Sequence, residues 1–459
     1  MPSRPAAWRA RALNTRKGVL RIAGAAFVLL LLFGTIAILY FSDTLADRLL
    51  RDRVRLQLLE TFPGSTVALG PLRYSVWKNR LDLDSLRLTT ADSGYTCSLG
   101  RVSLLGIGWW SLLREGVLTH TALSTAKLDV RGIAVIMRPS QYEFRSASLV
   151  YSAVDSTLVL DSSTLTSQLT DPQFFARSRY RQTRFRAGVP RLRFTGMDLP
   201  ASFAGRAHRA ASIILDDVST DILVNMDKPY DKKSTAPQMP HEILAALRDT
   251  VRVDSILVRN GSLRYSERVA AHAHPGTISF DSIRVAVRDV ANHGTQRDTT
   301  RIVGNGRFMR GGIMRVVMAL PLNDTTFTMR YSGSLESTDA RVLNAFLEPC
   351  EFRSITSGHI RSATYQVTVA AGRARGSLYA RYTDLRISIL DRKTGSSHGL
   401  LNKLKTLYGR LFIIRGTNPS SGDGEMKVGR VRYTRKADDY FLQFLWFSLR
   451  GSVADVVGF

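Results

Sequence analysis

A long run without charge lies near the N-terminus and includes residues 22–41. A helix of that length, at about 1.5 Å per residue, spans the ~30 Å hydrocarbon core of a bilayer. The run ends in Tyr40 and Phe41 and lacks the small residues of a signal-peptidase site. The pattern therefore predicts an uncleaved transmembrane signal anchor over residues 19–41.

The charges that flank this run differ on its two sides. The basic residues before it are Arg4, Arg9, Arg11, Arg16, Lys17 and Arg21, and acidic residues interrupt the basic ones after it at Asp43, Asp47 and Asp52. Basic loops remain on the cytoplasmic side of a membrane. Residues 1–18 are thus expected to form a cytoplasmic basic tail, with the bulk of the chain outside the cytoplasm.

A helical pattern continues directly after the predicted anchor. Leu45, Leu49, Leu56 and Leu59 fall on one face at helical spacing, and Pro63-Gly64 would end the helix. Residues 42–62 are therefore predicted to be a linker helix between the anchor and the rest of the chain.

Beyond residue 63 the dominant pattern is the alternation typical of β-strands, rich in Thr, Val, Ile and Tyr. A short motif recurs within it, as LDLDSLRL at residues 81–88, VRVDSILV at 251–258 and ISFDSIRV at 278–285, with looser forms at 158–165 and 213–220. Before Asp-Ser the apolar residues stand at the odd positions of the motif, and after it they stand at the even positions. An ideal strand would change faces there, so a bulge or tight turn is predicted at Asp-Ser, which keeps one apolar face.

Few helices interrupt the predicted strands. A loop at residues 227–239 separates an N-terminal β segment, 63–230, from a C-terminal β segment, 240–459. Helices are predicted at 240–247, where proline opens the pattern, at 399–415, and at the C-terminus, where Leu442, Leu445, Trp446, Leu449 and Val453 share a face. The last two are amphipathic and either cap a sheet end or lie on a membrane surface.

The chain is strongly basic, with 64 Lys and Arg against 38 Asp and Glu, a formal charge of +26. The densest basic cluster is Arg177, Arg179, Arg181, Arg184, Arg186, Arg191 and Arg193, interleaved with Phe175, Tyr180, Phe185 and Phe194. This cluster has three interpretations: a surface that binds nucleic acid, a surface that binds lipid headgroups, or the outward face of ordinary strands. The predicted topology separates the cluster from nucleic acid, so no nucleic-acid partner is expected.

No motif indicates catalysis or metal binding. Cys97 and Cys350 are far apart and show no zinc spacing, although one long-range disulfide is possible. His272 and His274 lie in an Ala/Pro/Gly loop without a nearby ligand pattern, and the glycines of residues 304–309 suit a hairpin or bulge. We therefore predict no enzyme, no cofactor, and no catalytic, cofactor-binding or metal site residue.

Several segments together resemble the AsmA-like proteins of bacterial envelopes. They are residues 67–88, 251–265 and 275–285, then FLEP at 346–349, ITSGHI at 355–360, and the stretches 374–391 and 400–419. The resemblance covers most of the chain. It implies an N-terminal anchor in the inner membrane, a periplasmic β-sheet curled into a long hydrophobic groove, and a role in phospholipid transport or outer-membrane biogenesis.

The fold class expected from these observations is mainly β, with one transmembrane helix, an elongated and curled antiparallel sheet, and a few short helices. The leading functional hypothesis is lipid handling without covalent catalysis, with membrane phospholipids as partners. The alternative is an assembly or scaffold factor for envelope proteins, with no bound lipid. No ligand-contacting residue is named, because a register error of one residue reverses every facing assignment.

Overall fold

The computed structural model describes residues 55–56, 58–60, 62–75, 78–106, 125–197, 207–231, 236–270, 273–294, 299–390, 415–420 and 424–458. The predicted tail, the predicted anchor at 19–41, most of the linker 42–62, His272, and the candidate helix 399–415 apart from its last residue lie outside them. Residues 55–56 and 58–60 are helical, as predicted for the end of the linker. Within the described ranges, no helix has the length and apolarity needed to cross a membrane.

The described chain is mainly β, as predicted. The strands are β1 Thr66–Leu69, β2 Leu72–Ser75, β3 Arg80–Leu83, β4 Leu86–Thr89, β5 Tyr95–Leu105, β6 Lys127–Met137, β7 Tyr142–Ser152, β8 Thr157–Ser167, β9 Thr183–Thr195, β10 Ala207–Asp216, β11 Ser219–Asn225, β12 Thr250–Arg268, β13 Gly276–Ala291, β14 Thr300–Phe308, β15 Ile313–Leu320, β16 Met329–Leu335, β17 Thr338–Asp339, β18 Arg353–Ala370, β19 Arg373–Ile389 and β20 Val428–Thr434.

Short helices interrupt the strands at a few places. They are α1 Asp171–Ala176, α2 Pro240–Ala245, a 3-10 turn at Ala340–Leu343, α3 Asn344–Glu351 and α4 Phe441–Val457. Helices α2 and α4 were predicted from the sequence. Helices α1 and α3 were not, because six and eight residues are too few to show a helical period.

All strands belong to one sheet. Strands β1 and β2 lie at one edge beside β4 and β3, which both pair with β5. From β5 to β9 each strand pairs with the next, and β9 pairs with β10 and β11. Strand β12 lies on their other side, and the order then continues through β13, β14, β15, β16, β18 and β19 to β20. The loop at 227–239 therefore does not divide two sheets.

The expectation of a purely antiparallel sheet is wrong at one junction. Strands β10 and β11 run parallel to β12, with Leu215 opposite Val258 and Ile222 opposite Tyr265. A parallel neighbour requires a crossover connection instead of a tight turn. The connection from β11 to β12 contains α2, whose first residue is Pro240.

The pairing of the strands is interrupted at neighbouring positions in successive strands. These interruptions form a line across the sheet, which we call the kink line. It separates β3 from β4 at Asp84-Ser85 and β10 from β11 at Asp217-Val218. It is also marked by residues in a left-handed conformation, which are Gly132, Ser162, Asp217 itself, Asn260 and Ser282. Each interruption shifts the alternation by one residue, so apolar positions on both sides of the line face the same way.

The predicted role of Asp-Ser is confirmed at most copies of the motif. The strand breaks at Asp84-Ser85, Ser282 follows Asp281 at a register shift between β13 and β14, and Ser162 has a φ of 52°. The copy at Asp254-Ser255 differs. The β12 register is unchanged there, and the left-handed residue is Asp289 on the neighbouring strand, with a φ of 60°.

The largest hydrophobic core lies at the C-terminal end of the sheet, under α2 and α4. Its most buried members include Met239, Met329, Val369 and Phe444, each 0% exposed. Helix α2 is held there by Arg435, whose two terminal nitrogens lie 2.7 and 3.1 Å from the Glu242 carboxylate oxygens. These hydrogen bonds hold the pKa of Glu242 below its usual value.

Candidate functional site

One face of the sheet, here called the apolar face, carries apolar side chains in continuous rows across the strands. In the first row, each residue lies directly opposite the next residue on the neighbouring strand, from β2 at one edge of the sheet to β20 at the other. Its members are Leu72, Leu83, Val102, Val130, Leu149, Leu160, Leu192, Leu215, Val258, Val285, Gly304, Val316, Gly333, Tyr365, Leu378 and Gly429. With a strand spacing of about 4.8 Å, this row is about 70 Å long.

A second row runs beside the first through the same strand positions. Its members are Tyr74, Leu81, Leu104, Leu128, Tyr151, Leu158, Phe194, Ile213, Ile256, Val287, Ile302, Met318, Tyr331, Val367, Gly376 and Val431. The two rows contain no charged residue. They therefore form a band without charge, two residues wide, across the whole sheet.

A third row lies on the other side of the kink line and covers β4 to β14. Its members are Leu88, Cys97, Val135, Phe144, Leu165, Ala187, Thr220, Leu263, Phe280 and Phe308. Only Thr220 brings a hydroxyl into it. The kink line thus joins three rows into one apolar face, as the changing parity of the Asp-Ser motif predicted.

Burial along the apolar face differs between its ends and its middle strands. In the first row Leu149, Leu160, Leu192 and Leu215 are half-buried, whereas Tyr365 and Leu378 are buried. This buried end lies beneath α4, since the Tyr382 hydroxyl donates a 3.2 Å hydrogen bond to the Val456 carbonyl and Tyr331 is hydrogen-bonded to Ser448. At the other end of the row Leu72, Leu83 and Val130 are also buried. The face is therefore buried at both ends and half-buried over its middle strands.

Glycines in the rows allow α4 to lie directly on the strands. A Cβ on Gly429 would overlap the carbonyl oxygen of Ser452, a residue of α4. Ser452 and Ser448 are each 1% exposed, and Phe444 packs edge-on against Phe327 with ring centroids 5.0 Å apart. Small residues on both surfaces thus permit the close approach that excludes water here.

Burial shifts the pKa values of two titratable groups, Glu267 and Cys350. Burial raises the pKa of Glu267, to which the Tyr265 hydroxyl donates a 2.7 Å hydrogen bond. Burial, and then the negative charge of Glu267, raise the pKa of the nearby Cys350 thiol to about 12. A thiol with a raised pKa stays protonated and is a poor nucleophile.

The basic cluster at residues 177–193 does not form one free patch. Arg184, whose side chain is 4% exposed, lies between Asp171 and Asp221, with its terminal nitrogens 3.3 and 2.9 Å from their carboxylates. Arg186 pairs with Asp171, and Arg191 pairs with Asp161 at 3.0 Å.

The aromatic residues of that cluster have separate environments. Phe194 belongs to the second apolar row, and Phe185 lies two residues from Ala187 and so points to the same face. Phe175 is 2% exposed, beneath the guanidinium of Arg268. The arrangement is that of an ordinary strand with a basic face and an apolar face.

The cysteines are not paired with each other: Cys97 and Cys350 are both free thiols. Across the residues that the structure describes, no group of three or more His, Cys, Asp or Glu is placed to hold a metal ion. Both glycines of 304–309 lie within β14, and Gly306 is opposite the register shift of β13, as expected for a bulge. Neither glycine lies in the hairpin turn, which follows Phe308.

Sequence reasoning found the strands but missed the rows. Each motif copy showed where a strand changes parity, but the pairing register that aligns the copies depends on contacts distant in sequence. Searches of protein-family models and of curated proteins found no match to this chain.

Proposed function

We propose that this chain is a lipid-handling protein whose apolar face receives acyl chains without covalent chemistry. The observation that carries the proposal is the first apolar row, continuous from Leu72 to Gly429 and half-exposed over its middle strands. A soluble surface rarely presents a contiguous apolar patch of more than a few hundred Å² unless something binds there.

The energetics favour a long, unbranched apolar ligand. Each methylene that leaves water for an apolar surface gains about 0.8 kcal/mol. A band without charge offers no ionised group that would need desolvation along an acyl chain. The ligand headgroup would remain in water, which suits a phospholipid and needs no headgroup pocket.

The wider setting is part of the same proposal. Residues 19–41 would anchor the chain in the inner membrane with the N-terminus in the cytoplasm, and the sheet, curled into a groove, would lie in the periplasm. The supporting observations are the uncharged run at 22–41 and the resemblance to AsmA-like proteins. On this proposal the protein takes part in phospholipid transport or outer-membrane biogenesis.

The test is native mass spectrometry with lipid extraction on residues 63–459, produced in a bacterial periplasm and purified without detergent. We expect phospholipid to co-purify in a defined molar ratio. Folded protein that carries no phospholipid, and takes none from added vesicles, would contradict the proposal. It would favour the alternative of an assembly or scaffold factor for envelope proteins.

A further inference from the structure

The face opposite the apolar rows has a different character in its two halves. Over β8 to β12, one of its rows alternates in charge: Asp161, Arg191, Asp216 and Arg259 are directly opposite one another in that order. Arg191 lies 3.0 Å from Asp161, and Arg259 lies 3.9 Å from Asp216. The positive charges of this row are thus paired with aspartates within the sheet.

Over β13 to β20 one row of the same face carries arginine without acid, although Asp281 lies opposite Arg307 elsewhere on this face. One registered row contains Arg288, Arg301, Ala319, Arg330, Thr368, Arg375 and Arg432, and we call its arginines the arginine row. All five are exposed. None has a carboxylate within ion-pair distance in the part of the chain that the structure describes.

Two pairs in the arginine row place like charges directly opposite each other. Arg288 faces Arg301, and Arg375 faces Arg432. Directly opposed like charges destabilise a sheet. An external anion would remove this repulsion, as the aspartates do in the other half.

An exposed apolar strip lies beside the arginine row. The next registered row includes Leu257, Ala286, Val303 and Val317, of which Val303 is 43% and Val317 is 38% exposed. Arg284 and Arg315 flank the strip on its other side, and Arg315 is paired with Glu336 at 2.5 Å. Apolar side chains beside a row of arginines without carboxylate partners match the boundary between acyl chains and phosphates in a bilayer.

We propose that this face of β13–β20 docks on the surface of a bilayer that contains anionic phospholipid. The occupant is a lipid surface and not nucleic acid, because exposed valines gain from contact with acyl chains and offer no stacking surface for bases. The docking face is separate from the apolar rows and does not depend on the proposed lipid binding there. It would hold the sheet against a membrane while the apolar face stays accessible.

The test uses the full chain, held in nanodiscs of phosphatidylcholine and exposed to vesicles of either 30% phosphatidylglycerol or phosphatidylcholine alone. We expect binding to the anionic vesicles only, weakened by salt. Arg288→Gln with Arg301→Gln should weaken it by about 30-fold, the equivalent of about 1 kcal/mol for each arginine. Val303→Ser with Val317→Ser should also weaken it.

The matched control is Arg131→Gln with Arg191→Gln, which removes the same charge from arginines already paired with Asp129 and Asp161. It should change binding by less than the arginine-row pair does. Equal losses in both variants would overturn the proposal, since net charge alone would then explain binding. The proposal would also be overturned if the valine changes left binding unaffected and single-stranded RNA bound as tightly as the anionic vesicles. Any polyanion would then be a sufficient partner. Lipid bound to the apolar face should be the same in every variant.

Discussion

Replacing Leu149 and Leu160 together by glutamate is expected to reduce co-purified phospholipid by at least tenfold. The two leucines are directly opposite each other in the first apolar row, on β7 and β8. Both are half-buried, so the fold tolerates the change better than it would in a closed core. An acyl chain crossing these positions would bury two unpaired carboxylates, which costs several kcal/mol.

The control for this change lies one residue away on each strand. Val150 and Val159 are also directly opposite each other, but on the other face of the sheet. Glutamates at these positions add the same charge to the same strands and face Arg193 of β9. We expect wild-type amounts of lipid in this variant, with both variants folded by circular dichroism. Equal lipid in the leucine variant and the wild type would show that the row does not hold the ligand.

Replacing Gly429 by alanine is expected to lower the free energy of unfolding by about 1–3 kcal/mol, the usual range for an overpacked core. The added Cβ would overlap the Ser452 carbonyl oxygen, so α4 must move away from β20. That movement would loosen the packing of Phe444 and Val456, which are 0% and 1% exposed. Thermal unfolding and proteolysis within residues 441–457 would measure the effect.

The matched change is Gly451→Ala, on α4 itself. A Cβ there meets no atom within 4 Å, and Gly451 is exposed. Alanine in a helix is favoured over glycine by about 0.5–1 kcal/mol, so this variant should be slightly more stable than the wild type. Two glycine-to-alanine changes are thus expected to have opposite signs. A Gly429→Ala protein as stable as Gly451→Ala would mean that α4 does not lie on β20.

Much of the β architecture could be predicted because its signals are local. Alternation marks strands over a few residues, and a change of parity at Asp84-Ser85 or Asp281-Ser282 requires an interruption whatever the partner strand is. The helix at Pro240 and the C-terminal helix also have local signatures, a proline start and a stripe of large apolar residues.

The remaining features depend on distant pairings that no local pattern contains. The parallel junction of β11 with β12 follows from a crossover, and the left-handed residue at that copy of the motif is Asp289 of β13 and not Asp254 of β12. The arginine row is invisible in the sequence for the same reason. Arg288, Arg330 and Arg432 are far apart along the chain, and only the register places them in line.

The measurement that tests lipid binding by the apolar face most directly is photocrosslinking in living bacteria, with a benzophenone amino acid placed at Leu160 or at Val159 of the full chain. These neighbours on β8 point to opposite faces of the sheet. We expect a phospholipid adduct, detected by mass spectrometry and by radiolabelled phosphate, at position 160 and little at 159. Equal labelling at both positions, or none at 160 in folded protein, would contradict the assignment of the apolar face as the lipid-binding surface.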